Sequence, residues 1–113
     1  MLGLSAATRI FLYRGAVDLR KSFDGLSGLV REDMGNEPLS GALFVFCNRR
    51  RTMVKILYWE TDGYAIWQKR LERGTFRRLD GVGTDGQIDR RHLMLLLEGV
   101  TPQRLHRRYR HSA

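Results

Sequence analysis

The sequence predicts an α+β fold: an antiparallel β-meander of about four to five strands packed against one long helix, with a second short C-terminal helix. Three observations carry this prediction. One amphipathic stretch has helical spacing, several β-prone runs follow it closely, and the loops between those runs are too short for crossover connections.

The first β-prone run is TRIFLY at residues 8–13, closed by Arg14-Gly15. In the following DLRKSFDGLSGLVREDMG, Leu19, Phe23, Leu26, Val30 and Met34 fall at helical spacing along one face. Asp18 is placed to cap this helix and Gly35 to end it. Gly25 and Gly28 lower its intrinsic stability, which implies close packing of the helix on a sheet. After the turn-rich NEPLSG come LFVFC (43–47), MVKILYW (53–59), GYAIWQKRL (63–71) and TFRRL (75–79). The connections NRRRT, ETDG and ERG make neighbouring strands antiparallel. Asp89 reads as the cap of the second helix, with Leu93, Leu96 and Leu97 as its apolar stripe and Gly99 as its stop. Residues 1–100 thus form a single domain and 101–113 a flexible basic tail, with Thr101-Pro102 suited to begin a turn or short helix.

The chain has 113 residues and a formal charge of +8. Its charge is uneven: residues 1–42 balance five Lys/Arg with five Asp/Glu, whereas residues 43–79 carry nine against three. A local surplus of this kind attracts polyanions, and nucleic acid above all. No apolar run is long enough for a membrane helix and the N-terminus lacks the features of a secretory signal, so a cytoplasmic location is expected. Cys47 is the single cysteine, which excludes an intrachain disulfide.

Arg49, Arg50, Arg51, Lys55, Lys69, Arg70, Arg73, Arg77 and Arg78 all fall within the meander, and they are the expected nucleic-acid-binding residues together with Trp59 as a stacking group. With Asp62-Gly63 as a two-residue turn, Tyr58 faces Trp67 and Lys55 faces Arg70, whereas a three-residue loop sets Lys55 opposite Lys69; either pair is repulsive and an anion would relieve it. In the first register one face of the hairpin carries Val54, Ile56, Tyr58, Ala65 and Trp67 beneath the long helix. The other presents Lys55, Leu57, Trp59, Ile66, Gln68 and Arg70. That second face also suits protein docking, with Trp59, Ile66 and Leu57 as anchors.

Catalytic signals are weak. His92, His106 and His111 lack zinc-site spacing, and no nucleophile elbow or Walker sequence occurs. GVGTDG at residues 81–86 fits G-x-G-x-x-G in letters, but RRLD precedes it and no parallel unit follows, so it reads as a flexible loop. Asp18, Asp24 and Asp62 each have a structural role open to them. The expectation is therefore no enzyme, no metal and no cofactor.

DLRKSFDGLSGLV, GALFVFCNRRRTMVKILYWETDGYAIWQKRLERGTF and HLMLLLEGV together resemble a small accessory protein of bacterial transposition. It is the product of the second open reading frame in insertion sequences of the insertion sequence 66 family. The resemblance spans roughly residues 5–100. The family's pattern matches Asp18, Arg20, Lys21, Phe23, Asp24 and Gly25 in the helix. In the meander it matches Arg49, Arg50, Lys55, Trp59, Asp62, Gly63 and the run Lys69 to Gly74. What the resemblance implies is a non-catalytic factor encoded beside a separate transposase and needed for efficient transposition. Its partners would be DNA at the element ends, the transposase and the element's other accessory subunit. A protein adaptor that docks the transposase without touching DNA is the alternative. Cys47 and Gln68 stand where the family has more typical basic and aromatic residues, and the GVGTDGQID linker and the tail fall outside its pattern.

Overall fold

The computed structural model describes residues 5–79 and 81–100. The basic tail and Thr101-Pro102 lie outside the described residues. The elements are β1 (Ile10–Leu12), α1 (Phe23–Glu32), β2 (Leu43–Cys47), β3 (Met53–Glu60), β4 (Gly63–Arg70), β5 (Gln87–Ile88) and α2 (Arg90–Glu98). They build one five-stranded sheet in the order β4-β3-β2-β1-β5.

The antiparallel meander on one long helix is thereby corrected to a mixed sheet with two short helices. Strands β2, β3 and β4 do form a meander, as their short loops require. However, β1 runs parallel to β2, with Ile10 opposite Leu43 and Leu12 opposite Val45. The segment joining them contains α1, and a connection of that length returns the chain to the start of a parallel neighbour. On the other side of β1, β5 pairs antiparallel, with Ile10 opposite Ile88. The run TFRRL adds no strand. Its Thr75 makes one isolated bridge, to Val100.

Covering both faces of the sheet takes both helices. Leu26 and Val30 of α1 pack with Phe11, Phe44, Phe46 and Leu57 on one face. Leu93 and Leu96 of α2 pack with Ile10, Val45, Ile56 and Phe76 on the other. Residues 43–46 of β2 are buried without interruption, as expected of a central strand enclosed on both sides. Each fully buried Leu, Ile or Phe contributes about 1.5–3 kcal/mol. Val54, Ile56 and Trp67 therefore lie under α2 rather than under α1.

Helix α1 is ten residues long and begins well after Asp18. The Asp18 carboxylate is engaged locally: its Oδ1 accepts from the Arg20 backbone N–H at 3.0 Å, and Oδ2 pairs with the Arg20 guanidinium at 2.6 Å. Leu19 enters the core ahead of the helix, and Phe23 at its start is 43% exposed. A Cβ built on Gly28 meets nothing within 4 Å, so close packing does not explain this glycine. Gly35, at φ 61°, turns the chain after the helix so that the Asn36 N–H reaches the Val30 carbonyl. Asp89 does cap α2, accepting from the His92 N–H at 2.8 Å, and Gly99 ends it at φ 79°.

The β3–β4 turn is Thr61-Asp62, one residue earlier than expected, with Glu60 opposite Gly63 and Thr61 in the left-handed region at φ 50°. The shift changes every cross-strand pair. Lys55 lies opposite Gln68 and Tyr58 opposite Ala65, so neither anticipated pairing of Lys55, with Arg70 or with Lys69, occurs. None of the helices among the described residues is long and apolar enough to cross a membrane.

Candidate nucleic-acid interface

The loop joining β2 to β3 is built around Asn48. Its Oδ1 accepts from the backbone N–H groups of Thr52 at 2.9 Å and Met53 at 3.0 Å, while Nδ2 donates to Thr52 Oγ1 at 3.1 Å. These bonds close a tight loop that leaves Arg49 and Arg50 exposed at its crest.

Arg51 has a different job. It is half-buried at φ 61°, its carbonyl accepts from the Phe76 N–H at 2.6 Å, and its guanidinium donates to the Phe76 carbonyl. Phe76 is 1% exposed and anchors this clamp in the core. The clamp brings the exposed Arg77 and Arg78 beside Arg49, although almost thirty positions separate them along the chain.

Two clefts meet at Arg49. The first, about 700 Å³, opens at the carboxyl ends of the parallel strands β1 and β2, where Leu12 and Cys47 form part of its wall. Five arginines line it: Arg14, Arg49, Arg51, Arg77 and Arg78. The second, about 930 Å³, lies between residues 16–20 and the arginine loop and is lined by Arg49, Arg50 and Arg70 together with the paired Asp18 and Arg20. Arg49, Arg50, Arg70, Arg77 and Arg78 have no carboxylate partner among the described residues.

Two acids, Asp33 and Asp85, also line the first cleft, and each is hydrogen-bonded. Asp33 accepts from the Tyr13 hydroxyl at 2.9 Å, a bond that raises the tyrosine's pKa, and Asp85 accepts from the Gln87 backbone N–H at 3.0 Å. Burial pushes the Cys47 thiol upward more than the nearby Arg51 lowers it, so it remains a neutral wall residue at neutral pH. The cleft is thus a concave surface on which five arginines stand against two carboxylates, a net positive lining.

The other expected contacts line neither cleft. Strand alternation sends Lys55 and Lys69 to opposite faces of the sheet. Lys55 Nζ donates to the Lys21 carbonyl at 2.9 Å, and Lys69 Nζ to the Leu97 carbonyl at 3.1 Å near the end of α2. Trp59 sits by the β3–β4 turn, its ring 5.2 Å from that of Tyr64 in an edge-on contact. Six residues of strand, roughly 20 Å, separate it from Met53 beside the arginine loop. Arg73 is exposed in the turn after β4 and lines neither cleft. Leu57, a candidate docking anchor, is 0% exposed, and Ile66 is half-buried against the α1 cluster.

Asn48, Arg14 and Tyr13 belong to this site without having been singled out from the sequence as binding residues. Asn48 directly ahead of an arginine run is the one local signal for a side-chain-closed loop. Arg14 and Tyr13 join the site only because β1 ends beside β2.

Comparison with known proteins bears out the family resemblance read from the sequence. Residues 8–107 match the family model described as IS66 Orf2 like protein. An uncharacterized protein of Sinorhizobium fredii, y4hO, is 32% identical over 100 residues, covering 88% of this chain and 87% of that protein. A second from the same organism, y4jC, is 34% identical over 76 residues, 67% of this chain and 65% of its own length. No solved structure matches. By a match extending over most of its length, the chain belongs to the family of IS66 Orf2 like proteins and is an accessory protein of transposition.

Proposed function

We propose that this accessory protein binds DNA of the element ends, through the arginine-rich end of its sheet. The observation that carries the reading is the convergence of Arg49, Arg50, Arg70, Arg77 and Arg78 around two adjoining clefts without carboxylate partners among the described residues. Unpaired guanidiniums are suited to phosphate, which they bind in a planar, two-pronged geometry. Trp59 lies roughly 20 Å along β3 from this end, and the ammonium groups of Lys55 and Lys69 each donate to a backbone carbonyl outside both clefts. The binding reading therefore narrows to the arginines.

A salt titration tests it. With five phosphate contacts and a slope of about −0.9 per contact, affinity for duplex DNA falls roughly 500-fold between about 50 and 200 mM salt. Arg49→Ala combined with Arg50→Ala reduces that slope by about two contacts. Failure to retain element-end DNA at low salt rejects the proposal. Co-purification with the transposase after nuclease treatment, in the absence of any DNA retention, assigns the docking role instead. For that role α2 offers Met94 and Leu95, which are 43% and 38% exposed.

A further inference from the structure

The two clefts that share Arg49 differ in what can enter them. The first is enclosed by the ends of β1 and β2, the Arg77-Arg78 segment and the loop that precedes β5. Its 700 Å³ falls among small-molecule sites, which run roughly 300–1,000 Å³. A space of that size excludes a duplex and accommodates one or two nucleotides. Its position also follows a general rule of α/β sheets, in which ligands bind beyond the carboxyl ends of parallel strands. The second cleft is shallower and lies along residues 16–20, flanked by Arg50 and Arg70, where a duplex backbone can run past.

Tyr13 adds the group that a charged pocket for single strands needs. It lines the first cleft half-exposed. Its ring packs on Phe46 with centroids 5.6 Å apart, and its hydroxyl is tied to Asp33, so the ring is held in place before any ligand arrives. A fixed aromatic ring beside guanidiniums is the arrangement on which unpaired bases stack while their phosphates are neutralised.

The geometry points to the first cleft as a receptor for an unpaired DNA end. Phosphates of the single strand sit on Arg77, Arg78 and Arg49, the terminal base stacks on Tyr13, and the adjoining duplex lies outside along Arg50 and Arg70. This rests on the DNA-binding reading and deepens it, since it assigns separate strands to separate clefts. It makes the protein a reader of frayed or cleaved ends rather than of uninterrupted duplex.

The test compares a short blunt duplex with the same duplex carrying a few-nucleotide single-stranded extension, 3′ or 5′, by fluorescence anisotropy at fixed salt. The wild-type chain is expected to bind one extended form about tenfold more tightly than the blunt form, the scale of one stacked base with its phosphate. Arg77→Ala with Arg78→Ala should weaken the extended form about tenfold more than the blunt form and so abolish that preference. Arg50→Ala with Arg70→Ala should weaken both forms equally. All four arginines are exposed, and thermal melting of each variant checks that it remains folded. Equal binding of blunt and extended DNA, or equal loss of both on Arg77→Ala with Arg78→Ala, overturns the end-receptor inference and leaves general DNA binding standing. No binding to any form overturns both.

Discussion

Within the arginine loop the side-chain hydrogen bonds come from Asn48, and Asn48→Ala removes them. Three hydrogen bonds disappear: two from the Thr52 and Met53 N–H groups to Oδ1 and one from Nδ2 to Thr52 Oγ1. At about 0.5–1.5 kcal/mol net for each bond, the loss lies between about 1.5 and 4.5 kcal/mol. The loop is only partly buried, so water reaches some of the freed groups and the lower half of the range applies, about 2 kcal/mol. For a domain near 100 residues this lowers Tm by roughly 8–16 °C. Asn48→Asp separates the bonds. It keeps the Oδ1 acceptor for both backbone donors and gives up only the bond to Thr52 Oγ1, so its cost should stay below about 1 kcal/mol. Urea denaturation of the two variants beside the wild type supplies both numbers. An Asn48→Ala loss below about 0.5 kcal/mol, or equal losses for both substitutions, would refute the role assigned to the two backbone acceptances.

Two further perturbations address the scaffold around the site. Gly86 lies at φ 76°, and a Cβ there would be 2.6 Å from the Leu12 carbonyl oxygen. Gly86→Ala should therefore cost more than about 2 kcal/mol in urea denaturation by forcing β5 away from β1, whereas Gly28→Ala, which meets nothing, should stabilise α1 by about 0.5–1 kcal/mol. Asp18 is held at a pKa of about 2 by the Arg20 side chain first and the Arg20 backbone N–H second, against an ordinary 3.8. A lowered carboxylate pKa stabilises the fold above the unfolded value, and this contribution fades as pH falls from near 3.8 through about 2. Because the pair is solvent-exposed, added salt weakens it. An NMR titration should find the Asp18 midpoint moving up toward 3.8 on Arg20→Ala, and an unmoved midpoint would remove Arg20 as the cause.

Local chemistry made several elements legible before any tertiary contact was known. Asp89 and Gly99 bound α2 because capping needs only a side-chain acceptor at one end and a left-handed residue at the other. LFVFC, MVKILYW and GYAIWQKR had to pair as neighbours because their loops permit nothing else. Asp18 misled for an equally local reason: a carboxylate two residues ahead of an arginine bonds that arginine and its N–H, and the helix starts later. The β3–β4 register was beyond local reading because Thr61 takes the positive φ that the neighbouring Gly63 was expected to supply. Moving the turn by one residue moves every cross-strand partner by two. Alternation then separates Lys55 from Lys69, two cations that look adjacent in a basic segment.

What the sequence by itself determined is the inventory: a basic central segment, three consecutive antiparallel strands, two helical stripes and membership of a recognisable family. Tertiary structure alone decided which cations share a surface. The parallel pairing of β1 with β2 and the Arg51–Phe76 clamp join residues far apart in the chain, and no local propensity encodes such a closure. The physical reason is that both faces of β2 are apolar and must be covered. Burying them under α1 and α2 folds Arg14 and Arg77-Arg78 to the end where Arg49 and Arg50 already stand.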